Sequence, residues 1–141
     1  MKHLAATLLP AMILVACGHG DVESELAIAD KVTGESLAEL ITGKTAYISI
    51  PPGGPGGPDG GIAPFYFGSD GTSAAKLPAG MTLVGTWQAL EDRYCADWDN
   101  GPKNSCSAIV QSGDTYKIVD AATGDARGEI VEFKDGNPEG Y

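Results

Sequence analysis

The chain has 141 residues, with 9 Lys and Arg against 19 Asp and Glu for a formal net charge of −10, and 43% of its residues are hydrophobic. That length holds one small domain, and so acidic a composition excludes a protein that grips nucleic-acid phosphates, because those contacts demand a basic face. The apolar share is concentrated at the N-terminus, where one of the 3 cysteines also lies.

Residues 1–17 carry Lys2 beside the amino terminus, then an uncharged apolar run from Leu4 to Val15 that includes Pro10. A membrane-crossing helix needs about 20 apolar residues, so this shorter run reads as an export signal over residues 1–16. Its end, Leu14-Val15-Ala16-Cys17, resembles the lipobox of bacterial lipoproteins. That resemblance implies cleavage before Cys17, a diacylglyceryl group on its thiol and acylation of its amino group. More than one acyl chain gives stable attachment, whereas a single chain binds marginally. Gly18, where Asp would act as a retention signal, implies a place in the outer membrane facing the periplasm. Loss of Lys2 with the signal makes the mature body one unit more negative than −10. With no basic amphipathic stretch, attachment to the bilayer is expected to rest on acylated Cys17.

Residues 17–34 are polar and acidic, with Asp21, Glu23, Glu25 and Asp30, and read as a tether ahead of a domain at 35–141. Thr33 to Gly43 places apolar residues at 37, 40 and 41, with Glu35 in the first turn and Gly43 where a helix terminus favours a left-handed residue. This is a short amphipathic helix. The rest punctuates like β-structure. Strand signals cover Thr45 to Ile50, Phe65 to Phe67, and Leu83 to Leu90, with Val84, Thr86, Gln88 and Leu90 on one face and Trp87 on the other. Further strands begin at Arg93-Tyr94-Cys95, flank the hairpin turn Ser112-Gly113-Asp114, and run from Gly128 to Phe133. The expected fold is mainly β: an antiparallel meander that closes as a small barrel or folds as a sandwich, with one N-terminal helix. Residues 51–61, rich in Gly and Pro, are expected to form a mobile loop over one end of the sheet; they lack the Gly-Lys-Ser/Thr of a phosphate-cradling loop.

Once Cys17 is assigned to lipid, Cys95 and Cys106 remain in an oxidising compartment, and an even remainder points to one disulfide. The other use, as metal ligands, lacks a partnering His. The order Gly43-Lys44-Thr45, then Phe65 to Phe67 with Asp70-Gly71-Thr72, then Gly85-Thr86-Trp87, then two Cys about ten apart resembles a family of uncharacterised small secreted proteobacterial proteins. Gly-Thr-Trp with a downstream Cys is also similar to the start of lipocalin-type barrels and of small barrel inhibitors of secreted metalloproteases. In those folds the Trp packs at the barrel base, which implies a core role for Trp87.

His3 leaves with the signal and His19 sits beside the anchor, so the folded body has no histidine. Ser-His-Asp and Cys-His mechanisms are thereby excluded, and no catalytic residue, cofactor or metal is expected. Glu91, Asp92, Asp97 and Asp99 read as solvated acidic surface. The cluster Asp97, Trp98, Asp99 and Asn100 between the cysteines is the candidate partner-binding site. It fails as a calcium loop, because the sixth position from Asp97 is Pro102 rather than Gly. An exposed Trp98 on a constrained loop would anchor an interface; the other reading folds it back over the disulfide. The functional expectation is a non-enzymatic envelope lipoprotein that binds an extracytoplasmic protein or small ligand. The alternative is a periplasmic protease inhibitor with a small barrel fold, its N-terminal stretch entering an active-site cleft.

Overall fold

The computed structural model describes residues 30–141. The export signal, Cys17 and most of the tether lie outside the described residues. A helix α1 (Gly34–Ile41) is followed by eight strands: β1 (Lys44–Ile50), β2 (Gly61–Phe67), β3 (Thr72–Lys76), β4 (Thr82–Ala89), β5 (Tyr94–Trp98), β6 (Ser105–Ser112), β7 (Thr115–Asp120) and β8 (Ala126–Asp135). Each strand pairs antiparallel with the next, and β8 pairs with β1, so the meander is a closed barrel and not a sandwich. Closure removes every long sheet edge, which would otherwise be a template for aggregation.

Alternation along the strands sorts the side chains. On β1, Ala46, Ile48 and Ile50 are buried and point inward, while Ser49 is exposed. On β4, Leu83 is buried, whereas Val84 is 51% exposed, so the face assigned to Val84 from sequence is the outer one. Register carries the inward set around the barrel: Phe65 opposes Ala75, Ala75 opposes Leu83, and Gly85 opposes Trp98.

In an up-and-down barrel, alternate connections share an end. The connections after β1, β3, β5 and β7 therefore form a mouth, and α1 lies at the opposite end, the base. Leu37 and Ile41 of α1 are fully buried in a cluster with Phe67, Tyr94 and Ile109. Gly43 ends the helix region with φ +71°, the left-handed conformation that its lack of Cβ permits.

Three features depart from the sequence reading. Strand β3, Thr-Ser-Ala-Ala-Lys, has few β-branched or aromatic residues and gave no strand signal; it is held by its neighbours, with Ser73 and Ala75 buried inside. Residues 30–32, within the stretch expected to be tether, pair with the barrel: Val32 N–H donates to Ile109 O at 2.9 Å and Gln111 N–H to Asp30 O at 2.9 Å. The ladder of β5 with β6 covers only Tyr94–Ala96 and Ser105–Ser107, so this segment takes the part of the β6 edge that β5 does not reach. Finally, the Gly/Pro-rich segment is folded on itself around a short 3-10 turn (Gly54–Gly56), with Gly53 N–H donating to Gly57 O at 2.7 Å. A Cβ on Gly56 would lie 2.1 Å from Pro51 O, so this compact loop requires glycine there.

Candidate functional site

The sequence cluster in the cysteine loop does not form a single surface. The disulfide is present, joining directly opposed Cys95 and Cys106 of β5 and β6. However, β5 extends through Trp98, and strand alternation turns Trp98 to the side opposite Cys95 and Asp97. Trp98 is 5% exposed, packed edge to face on Phe65 with ring centroids 6.2 Å apart. It is neither an exposed anchor nor a cover for the disulfide, and the burial of its large apolar ring inside the barrel is the reason. Asp97 points outward, its carboxylate accepting from Asn104 N–H. Asp99 is exposed, and Asn100 braces the mouth, donating to Thr82 O at 2.8 Å and accepting from Val84 N–H at 3.4 Å. Among the described residues no group of three or more His, Cys, Asp or Glu converges as a metal site.

What the structure assembles instead is a cavity of about 690 Å³ inside the mouth half of the barrel, within the size range of small-molecule sites. Ile50, Phe65, Leu77, Leu83 and Trp98 make an apolar wall, Phe67 and Tyr94 line its deep end, and Pro51, Pro55, Met81 and Pro102 border it from the mouth loops. The deep end is firm because Phe67 packs edge to face on both Trp87 and Tyr94, at 5.3 and 5.2 Å between centroids. Trp87 is pinned further by its Nε1–H, which donates to Gly68 O at 2.8 Å. The base position that the barrel resemblance implied for Trp87 is the one it occupies.

Gly85 keeps the β4–β5 wall closed. A Cβ there would stand 2.0 Å from Asp97 O, so only glycine lets the two backbones approach as they do.

One stretch of the wall is polar. Arg127, at the start of β8, reaches across the inner face of β7 to β6, where its Nη1 donates to Ser107 Oγ at 2.8 Å and Ser105 Oγ at 3.2 Å. Its Nη2 donates to Asp120 Oδ2 on β7. Asp120 also accepts backbone N–H groups from Ala122 at 2.8 Å and Thr123 at 3.0 Å through Oδ1. The Thr123 and Ala122 amides, with Arg127 adding to them, hold this carboxyl below the usual Asp range. Beside them, burial pushes the Tyr94 hydroxyl up to about 12, so Tyr94 stays neutral at physiological pH.

Comparison with known protein families, curated proteins and solved structures finds no match. The site therefore stands on its own geometry.

Sequence reasoning missed this site for a physical reason. Its residues come from seven strands and three loops, and an inward residue in a strand looks like any core residue. One signal was legible: the Gly/Pro-rich segment, whose lack of side chains suits a mouth more than a core.

Proposed function

We propose that this protein is a non-enzymatic binding module for a small, largely apolar ligand, held at the bacterial envelope by acylated Cys17. The observation that carries this reading is the cavity of about 690 Å³, apolar on most sides and bordered by the mouth loops, in a barrel whose other end is packed shut. A barrel of eight strands is just wide enough either to fill itself with side chains or to hold one small ligand. Here Ala63, Ala75 and Ala96 stand at inward positions where larger residues would occupy that space. The buried position of Trp98 favours the ligand over a protein partner, since the aromatic that would have anchored an interface faces the cavity instead.

The test is a titration of the purified chain with a neutral naphthylamine dye whose emission rises in apolar surroundings. A saturable rise is expected, with transfer from tryptophan to the dye that falls in Trp98→Phe, where Trp87 remains as the second donor. A linear, unsaturable response that persists in Trp98→Phe and in Met81→Glu would overturn the reading. Attachment is tested separately, by Cys17→Ser, which is expected to release the protein from the membrane fraction.

A further inference from the structure

Among the described residues that line the cavity, Arg127 alone carries a charge. A guanidinium offers five N–H donors. In Arg127 three are engaged, two on Nη1 with Ser105 and Ser107 and one on Nη2 with Asp120. The Nε–H and the second Nη2–H have no partner among the described residues. The positive charge, in contrast, is already balanced. Asp120 sits behind Arg127, one oxygen on the guanidinium and the other on two backbone amides, so its acceptor capacity is directed away from the cavity.

The wall thus presents unused donors with no net charge. An anionic ligand would bring a second negative charge against the Arg127–Asp120 pair, into an apolar cavity of a protein whose formal charge is −10. A cationic ligand would meet donors only. A pure hydrocarbon would leave the donors facing apolar matter, which costs free energy.

We infer that the cavity takes a neutral, mainly aliphatic molecule with a hydrogen-bond acceptor of the carbonyl type, an ester or ketone, whose oxygen lies against Arg127 while its chain runs along Phe65, Leu83 and Trp98. This rests on the cavity reading above and adds the polarity and charge of the ligand to it. The pair also acts as a selectivity filter: Asp120, which does not line the cavity, sets which charge of ligand Arg127 accepts.

The experiment compares three compounds of matched chain length, methyl laurate, laurate and tridecane, as competitors of the naphthylamine dye on the full chain at neutral pH. Methyl laurate is expected to displace the dye at a concentration about tenfold lower than either of the others, the effect of one well-made hydrogen bond of about 1.4 kcal/mol. In Asp120→Asn the guanidinium charge is uncompensated, and laurate should gain about tenfold and draw level with the ester. In the paired variant Arg127→Met with Asp120→Asn, which removes both charges together, ester and hydrocarbon should compete within about threefold of one another. If laurate matches or exceeds methyl laurate on the wild-type chain, the neutral-ligand inference is overturned while the cavity reading stands. If the dye itself shows no saturable site, the cavity reading falls. Far-ultraviolet circular dichroism of each variant identifies any that has failed to fold, and the wild-type ranking alone still decides the inference.

Discussion

At the base of the barrel Leu37 and Ile41 are wholly buried against Phe67, Tyr94 and Ile109, and three aromatic rings meet edge to face. At the mouth Met81 is 53% exposed, and the loop that follows β1 offers no side chain larger than proline apart from Asp59. Both ends are made by the same up-and-down strands, so the difference lies in what each end buries. Apolar side chains interlocked at native density resist change, and losing one leaves a gap that the neighbours fill poorly. Glycine and proline backbone over a cavity contributes little burial, which leaves that end to shape access rather than stability. A small protein with few core residues has concentrated its packing at one end and left a cavity at the other.

Substitutions should separate the two ends by magnitude. Phe67→Ala at the base is expected to cost about 3–5 kcal/mol in urea unfolding, since it removes the ring on which Trp87 and Tyr94 both pack. A cost below about 1 kcal/mol would show that the base is not the stability centre. Reducing the Cys95–Cys106 bridge, which closes a short loop on the mouth side, should lower stability by about 3 kcal/mol with no cavity created. Gly85→Ala, halfway along the wall, should cost at least about 2 kcal/mol through the clash with the Asp97 carbonyl. Met81→Ser at the mouth should change stability by less than about 0.5 kcal/mol while weakening capture of the apolar dye.

Titration gives the finest distinction. The Tyr94 hydroxyl, raised to about 12 by burial, favours the folded chain fully below the unfolded tyrosine value of about 10. That contribution declines as pH rises through the interval up to about 12. Tyr47 is also raised to about 12, chiefly by donating to Glu139, but it lies on the outer face. Ultraviolet titration should show Tyr47 and Tyr94 ionising late. Tyr47→Phe should remove one late step and flatten the alkaline loss of stability only slightly, its exposed hydroxyl being screened by solvent, whereas Tyr94→Phe should remove the other and make unfolding clearly less sensitive to high pH. Asp120 acts at the opposite limit. Its carboxyl is depressed, so its contribution is present above the ordinary Asp value and is lost as pH falls through the lowered one; Asp120→Asn should flatten that acid limb.

The contrast between the ends also explains what could be read from the chain. Helix α1, most strands and the pairing of Cys95 with Cys106 were legible, because amphipathic period, turn residues and cysteine number are local or countable properties. Strand β3 was not, since Ala74 and Ala75 are in strand only because β2 and β4 flank them. Trp98 was misplaced outward because its neighbours Asp97 and Asp99 are charged. In a strand that same alternation of polar and apolar residues is the signature of an inward-facing ring. The Arg127, Asp120, Ser105 and Ser107 group was beyond a linear reading, because it exists only after β6, β7 and β8 lie side by side.

The join between β1 and β8 has a consequence for how the molecule is made. Lys44 pairs with Asp135, and Thr45 Oγ1 donates to Gly136 O at 2.7 Å, so the first strand finds its second neighbour only at the far end of the chain. Until β8 arrives, the backbone groups of β1 and β7 face one another across an open slot, and both are free to recruit a foreign strand. Closing that slot requires contacts between distant residues, which slow folding, and a chain cut short before residue 126 lacks the strand that makes them. Of the eight strands β8 is synthesised last, and the strand that seals the barrel is also the one that carries Arg127 of the polar wall.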